Sequence, residues 1–125
     1  MNRQDERESV AVLRECIDLQ NRKGADYQST ASTVRQADYY VSGIKTIHEI
    51  MHAKMLRMRS LIEQYESRAG QANFESIEDS AKDLINYASF LVAYSRGKID
   101  GQSPDKDVLN RPIVKYDSSP SEVNK

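Results

Sequence analysis

Cysteine is nearly absent from this chain, and so are a long hydrophobic run, an excess of either charge and, before Gly97, any proline. The single cysteine, Cys16, excludes an internal disulfide framework and a cysteine-built zinc site. No apolar run approaches the ~20 residues needed to span a bilayer, and the amino-terminal MNRQDERES does not read as a signal peptide. A formal net charge of −1 gives no general pull toward nucleic acid or an anionic surface. The expectations are a single domain, no membrane, no nucleic-acid partner and a reducing cytoplasm.

What the chain has is helical period. Hydrophobic residues make up 38% and charged residues 30%, the balance of a patterned α protein rather than a disordered chain. Val12, Cys16 and Leu19, with Leu13 and Ile17 alongside, predict a first helix from about Asp5 to Arg22. Gly24 reads as its stop, and Cys16 as a small core residue. The polar stretch from Ala25 to Tyr40 reads as a loop with a short helical turn around Ser32–Tyr40. Ile44, Ile47, Met51, Met55, Met58, Ile62 and Tyr65, reinforced by Ile50 and Leu61, predict a second helix from about Ser42 to Glu66. Arg68–Asn73 reads as a turn. A third helix is expected from Phe74 or Glu75 to Ser95 or Arg96, with Gly97 as its stop.

No strand pattern and no internal repeat is present. The expected fold is all-α: an antiparallel bundle of three main helices over residues 1–97. Because the second helix is apolar around much of its circumference, the bundle is expected to be completed by homo-oligomerisation. All three prolines fall after Gly97, so residues 98–125 read as an extended or partly disordered tail. Pro112–Tyr116 is too apolar for a free linker. It is expected to pack across the oligomer with Tyr116 over the ligand site, leaving Ser118–Lys125 disordered.

Glu75, Asp79, Asp83 and Asn86 carry the chemistry. Steps of four, four and three place them on one face of the third helix, opposite an apolar stripe of Ile77, Ala81, Leu84, Ala88 and Leu91. Stacked carboxylates repel, and a hard divalent ion relieves the repulsion because Mg²⁺ takes carboxylate oxygens. The competing reading is a solvated acidic surface.

On the second helix, His48-Glu49-Ile50-Met51-His52 is a literal H-E-x-x-H, the spacing with which zinc peptidases hold their metal. With no third histidine and no sheet to hold a peptide, peptidase activity is not expected. The histidines read either as half-exposed residues flanking a core stripe or, with Glu49 and His52 facing the acidic stripe, as contributors to its ion site. Lys54 and Arg57 lie at i and i+3 on one side of the helix. They suit the phosphates of a metal-bound ligand, or salt bridges to the third helix such as Arg57 to Asp83. At Lys23-Gly24-Ala25-Asp26-Tyr27 the ring of Tyr27 could stack on a base while Asp26 accepts hydrogen bonds from it; the alternative is a plain helix cap.

Taken in order, Lys23-x-x-Asp26-Tyr27, Lys54-x-x-Arg57 and Glu75…Asp79…Asp83 with Asn86-Tyr87-Ala88 resemble a small phage and bacterial nucleotide-modification-associated domain family. That family is a distant relative of the all-α MazG-type nucleoside triphosphate pyrophosphohydrolases. The resemblance spans roughly Arg14 to Gly97. It implies a nucleotide ligand, Mg²⁺ or Mn²⁺ on Glu75, Asp79, Asp83 and His52, and substrate contacts from Lys23, Asp26, Tyr27, Lys54, Arg57, Asn86 and Tyr87. If the chain is an enzyme, it implies cleavage of a (deoxy)nucleoside triphosphate to monophosphate and pyrophosphate, with Glu49 or Glu78 as general base. MazG-type enzymes resemble one another in an E-x-x-E and an E-x-x-D on successive helices. Here Glu49-x-x-His52 and Asp79-x-x-x-Asp83 stand in those places, a departure that binding survives more easily than hydrolysis does. The alternative the resemblance leaves is a phage-type binder that sequesters a nucleotide or cyclic-nucleotide signal, acting in the host cytoplasm.

Overall fold

The computed structural model describes residues 5–27, 30–67 and 74–114, with side chains for all of these except Asp26, Tyr27, Phe74 and Glu75. The expected turn Arg68–Asn73, Tyr116 and Ser118–Lys125 lie outside the described residues. Three helices carry the fold: α1 (Glu8–Tyr27), α2 (Ile44–Ser67) and α3 (Phe74–Ser95), with a short 3-10 turn at Gln36–Tyr39. Among the described residues there is no strand, only an isolated bridge between Lys106 and Pro112. No described helix is long and apolar enough to cross a membrane.

Helix α1 does not stop at Gly24. It runs on to Tyr27, and Gly24 keeps a negative φ, so the glycine is tolerated inside the helix instead of ending it. The stop after α3 is where the sequence indicates it. Gly97 sits at φ 73°, its N–H donates to the carbonyl of Tyr94 at 2.9 Å, and Lys98 N–H reaches Ala93 at 3.0 Å. Those two bonds make a Schellman cap, which glycine permits because it has no Cβ to clash at positive φ.

Helices α2 and α3 form an antiparallel pair: Ile47 meets Tyr94 at one end, and Lys54 meets Asp83 further along. The contact stripe of α2 runs through Ile47, Met51, Lys54, Met58 and Leu61, with Ile47 and Leu61 buried. Met55 and Ile62, expected on that stripe, are about half exposed, at 54% and 46%. Helix α1 packs on α3 around Cys16, Gln20 and Asn86.

The main cluster of buried side chains is small and lies at one end, with Cys16 and Leu61 buried apart from it. Ala37, Tyr40, Ile47, Tyr94 and Ile99 form it, with Tyr40 and Tyr94 edge to face at 6.2 Å. Two of these come from the loop before α2 and one from beyond Gly97. The segment after Gly97 is therefore no free arm over its described length: residues 98–114 fold back on their own chain. Ala37 N–H donates to the carbonyl of Asp100, and Gln102 bridges Ile99 N–H and the Tyr94 carbonyl, at 2.8 Å each.

The same segment starts α2. A helix begins with N–H groups that have no partner inside it, and the carbonyl of Val108 accepts the one from Ile44 at 2.9 Å. This close approach requires glycine at position 43, where φ is +60° and a Cβ would collide with the Val108 carbonyl. Asp107 holds the returning chain in shape. Its carboxylate accepts backbone N–H groups from Leu109 and Arg111 and the Nε of Arg111, all at 2.9 Å.

Candidate functional site

Where α1 packs on α3, it covers the Asp83–Asn86 end of the acidic face and leaves Asp79 in solvent. Asp79 is exposed at the edge, Asp83 is partly covered and Asn86 is buried at 6%. Buried polar groups need partners. Asn86 Nδ2 donates to the Cys16 carbonyl at 3.2 Å, and its Oδ1 accepts from Gln20 Nε2 at 3.1 Å. Gln20 also donates to Ser89 Oγ at 2.9 Å. The thiol of Cys16 lies 3.9 Å from the Lys82 carbonyl, and burial pushes its pKa up.

Beside this junction α1, α3 and the 3-10 turn leave a cavity of 210 Å³. Gln20, Asn21, Lys23 and Gly24 line it from α1, Asp83, Asn86, Tyr87 and Phe90 from α3, and Gln36 from the turn. Tyr87 and Phe90 meet edge to face, 5.5 Å between ring centres. Gln36 donates to the hydroxyl of Tyr40 at 3.0 Å, tying the cavity rim to the core. Asp83 carries two cations: Lys23 Nζ lies 3.4 Å from Oδ1 and Lys54 Nζ 3.1 Å from Oδ2. One carboxylate thus ties all three helices together. The cavity thus combines an apolar aromatic wall, several side-chain amides and one lysine, with Lys54 held behind Asp83.

The cavity brings together Lys23, Asp83, Asn86 and Tyr87, with Lys54 reaching it through Asp83. The other sequence candidates fall elsewhere. Arg57 is exposed, and the partner of Asp83 on α2 is Lys54, not Arg57. Glu49 is exposed and does not line the cavity. Glu78 is exposed and pairs with Lys82 at 3.2 Å, while Lys82 also holds Glu15 at 2.7 Å. Those two carboxylates, Glu15 first, raise the pKa of the Lys82 ammonium. Asp79 lines a different cleft, with Glu15, Asp18, Arg22 and Lys82. His52 lines a third, on the α2–α3 seam. The side chains of Glu75, Asp26 and Tyr27 lie outside the described residues, although the backbone at Asp26 and Tyr27 is the last turn of α1.

Among the described residues no three His, Cys, Asp or Glu side chains stand close enough together to hold a metal ion. Mg²⁺ wants near-octahedral oxygen ligation, yet both oxygens of Asp83 face ammonium groups and Asp79 opens into a separate cleft. The described side chains do not assemble a resident Mg²⁺ site.

Residue types alone did not point to Gln20, Asn21, Gln36 and Phe90. A faint signal exists for two of them, since Gln20-Asn21 directly continues the apolar stripe after Leu19. Comparison of the chain with family models, with curated proteins and with solved structures finds no match in any of the three.

Proposed function

We propose that this chain binds a nucleotide, with the base in the cavity between α1 and α3 and the phosphates toward Lys23 and Lys54. The observation that carries this reading is the convergence of Lys23, Asp83, Asn86 and Tyr87, widely separated in sequence, on one cavity. Its 210 Å³ is below the roughly 300–1,000 Å³ of pockets that enclose drug-sized ligands. That size suits a base or nucleoside with the phosphates left at the rim. Aromatic rings supply the flat apolar wall, and the amides of Gln20, Gln36 and Asn21 offer donors and acceptors for base edges. The resemblance seen in the sequence points to the same ligand class.

The resemblance also implies Mg²⁺-dependent pyrophosphohydrolysis. Asp83 would have to give up both lysines before it could ligate a metal, so no step of the proposal runs through one; the ligand is bound and held. The experiment is equilibrium binding of a panel of NTPs, dNTPs and nucleosides, with and without Mg²⁺, read together with pyrophosphate release. Binding that is lost in Lys54→Met and Tyr87→Leu supports the reading. Failure of every nucleotide to bind overturns it, and pyrophosphate release would return hydrolysis to first place.

Self-association is part of the proposal. Val10, Leu13 and Ile17 on α1, and Leu56 and Ile62 on α2, are all at least 37% exposed. Two helices each presenting an apolar row to water bury it most directly against a second copy of the chain. Light scattering that returns a 14.3 kDa particle would refute this.

A further inference from the structure

The H-E-x-x-H segment belongs to a longer pattern. His48, Met51, His52 and Met55 stand at i, i+3, i+4 and i+7 of α2, one continuous stripe along a helix. All four line a single groove of 440 Å³ on the α2–α3 seam. The opposite wall is Leu84, Ile85 and Ala88 of α3, so among the described residues no carboxylate or ammonium lines the groove.

We propose that this groove binds a soft monovalent cation, Cu(I), through the two imidazoles and two thioethers. The donor set decides the metal. Zinc sites are built from Cys, His, Asp and Glu, and Mg²⁺ and Ca²⁺ take oxygen; thioether sulfur favours Cu(I), and imidazole accepts it as well. Four neutral ligands leave a monovalent ion with one net charge, the smallest charge a metal can bring against an apolar wall. Met55 lies one turn from Met51 as His52 lies one turn from His48, so a His–Met pair repeats along the groove.

The groove is independent of the nucleotide cavity. Leu84, Ile85 and Ala88 face it, whereas Asp83, Asn86 and Tyr87 face the cavity under α1. Cys16, the chain's one thiol, is buried at 2% against α3 and does not line the groove.

The test is anaerobic competition between the full chain and a chromophoric Cu(I) chelator under reducing conditions. The chain is expected to withdraw one Cu(I). Met51→Leu with Met55→Leu, swaps that keep volume, should retain helical circular dichroism. Outer-shell partners alone are worth about 10–100-fold in metal affinity, so loss of two ligands should weaken binding at least about tenfold. Cys16→Ala should bind as the parent does. A second readout needs no variant: Cu(I) should shift the ring protons of His48 and His52 and the methyl groups of Met51 and Met55 in NMR spectra. No uptake of Cu(I), unchanged affinity in the double variant, loss of binding in Cys16→Ala, or shifts confined to other residues would each overturn the proposal.

Discussion

Lys54 of α2 reaches Oδ2 of Asp83 on α3 at 3.1 Å, from within the stripe that joins the two helices. A lysine in that position buries its stem between the helices and delivers its charge to the far side. Because Lys23 takes the other oxygen, two cations surround one anion, and the pair keeps one positive charge in excess beside the cavity. On the proposed reading, that excess is what attracts a phosphate.

Asp83→Asn is the sharpest test of this arrangement. The substitution keeps the shape of the side chain and releases both lysines. Affinity for a nucleoside triphosphate in Mg²⁺-free buffer should rise by up to about tenfold, equivalent to 1.4 kcal/mol, with circular dichroism unchanged. A site that needs Asp83 for Mg²⁺ would lose affinity instead, so titration calorimetry separates the two.

Asn86→Ala should loosen α1. Its side chain makes two hydrogen bonds across the α1–α3 contact, and removing buried partners costs about 1–3 kcal/mol. Urea unfolding should register that loss. Hydrogen exchange should quicken in α1 more than in α2, and equal protection in both helices would refute the contact's dependence on Asn86.

Gly24→Ala should stabilise the protein. The glycine lies within α1 at negative φ, and an added Cβ meets no atom within 4 Å. Replacing an interior helical glycine by alanine is worth about 0.5–1 kcal/mol. A lower melting temperature would show that α1 does end at this glycine.

Asp107 predicts an acid-sensitive segment. Hydrogen bonds from the Arg111 backbone and then its side chain hold the Asp107 carboxyl below its ordinary pKa. A depressed folded-state pKa contributes stability above the unfolded value, about 3.9 for aspartate, and the contribution is lost as pH falls through the folded value. Thermal unfolding followed downward from pH 5 should show this loss in the parent and a flatter profile in Asp107→Asn. Parallel profiles would remove Asp107 from the account.

The three helices are legible in the sequence because their apolar residues recur at 3.6-residue period, and the Gly97 stop is legible because a Schellman cap selects glycine. The rotation of α2 is not. A hydrophobic reading passes over Lys54 and takes Met55, whereas the seam takes Lys54 for its long stem and its partner Asp83. Ala37, Tyr40 and Ile99 enter the core without any period of their own; their places depend on bonds such as Ala37 to Asp100, between segments far apart in the chain. At the cavity the charged and aromatic residues stand out, but the amides of Gln20 and Gln36 look like ordinary surface until α1 is packed on α3.

The dependence of α2 on Val108 also orders events in time. Residues 43 and 108 are brought together only after all three helices and the return segment have been synthesised, and Ile99 completes the core on the same schedule. Until then the Ile44 N–H is expected to lack its partner and the Tyr40–Tyr94 end to lack the cover of Ile99. Closing that long loop carries an entropic cost before any contact offsets it. The chain is therefore expected to form its α2–α3 hairpin early and to acquire its cooperative melting transition late, in one step, when the return segment docks.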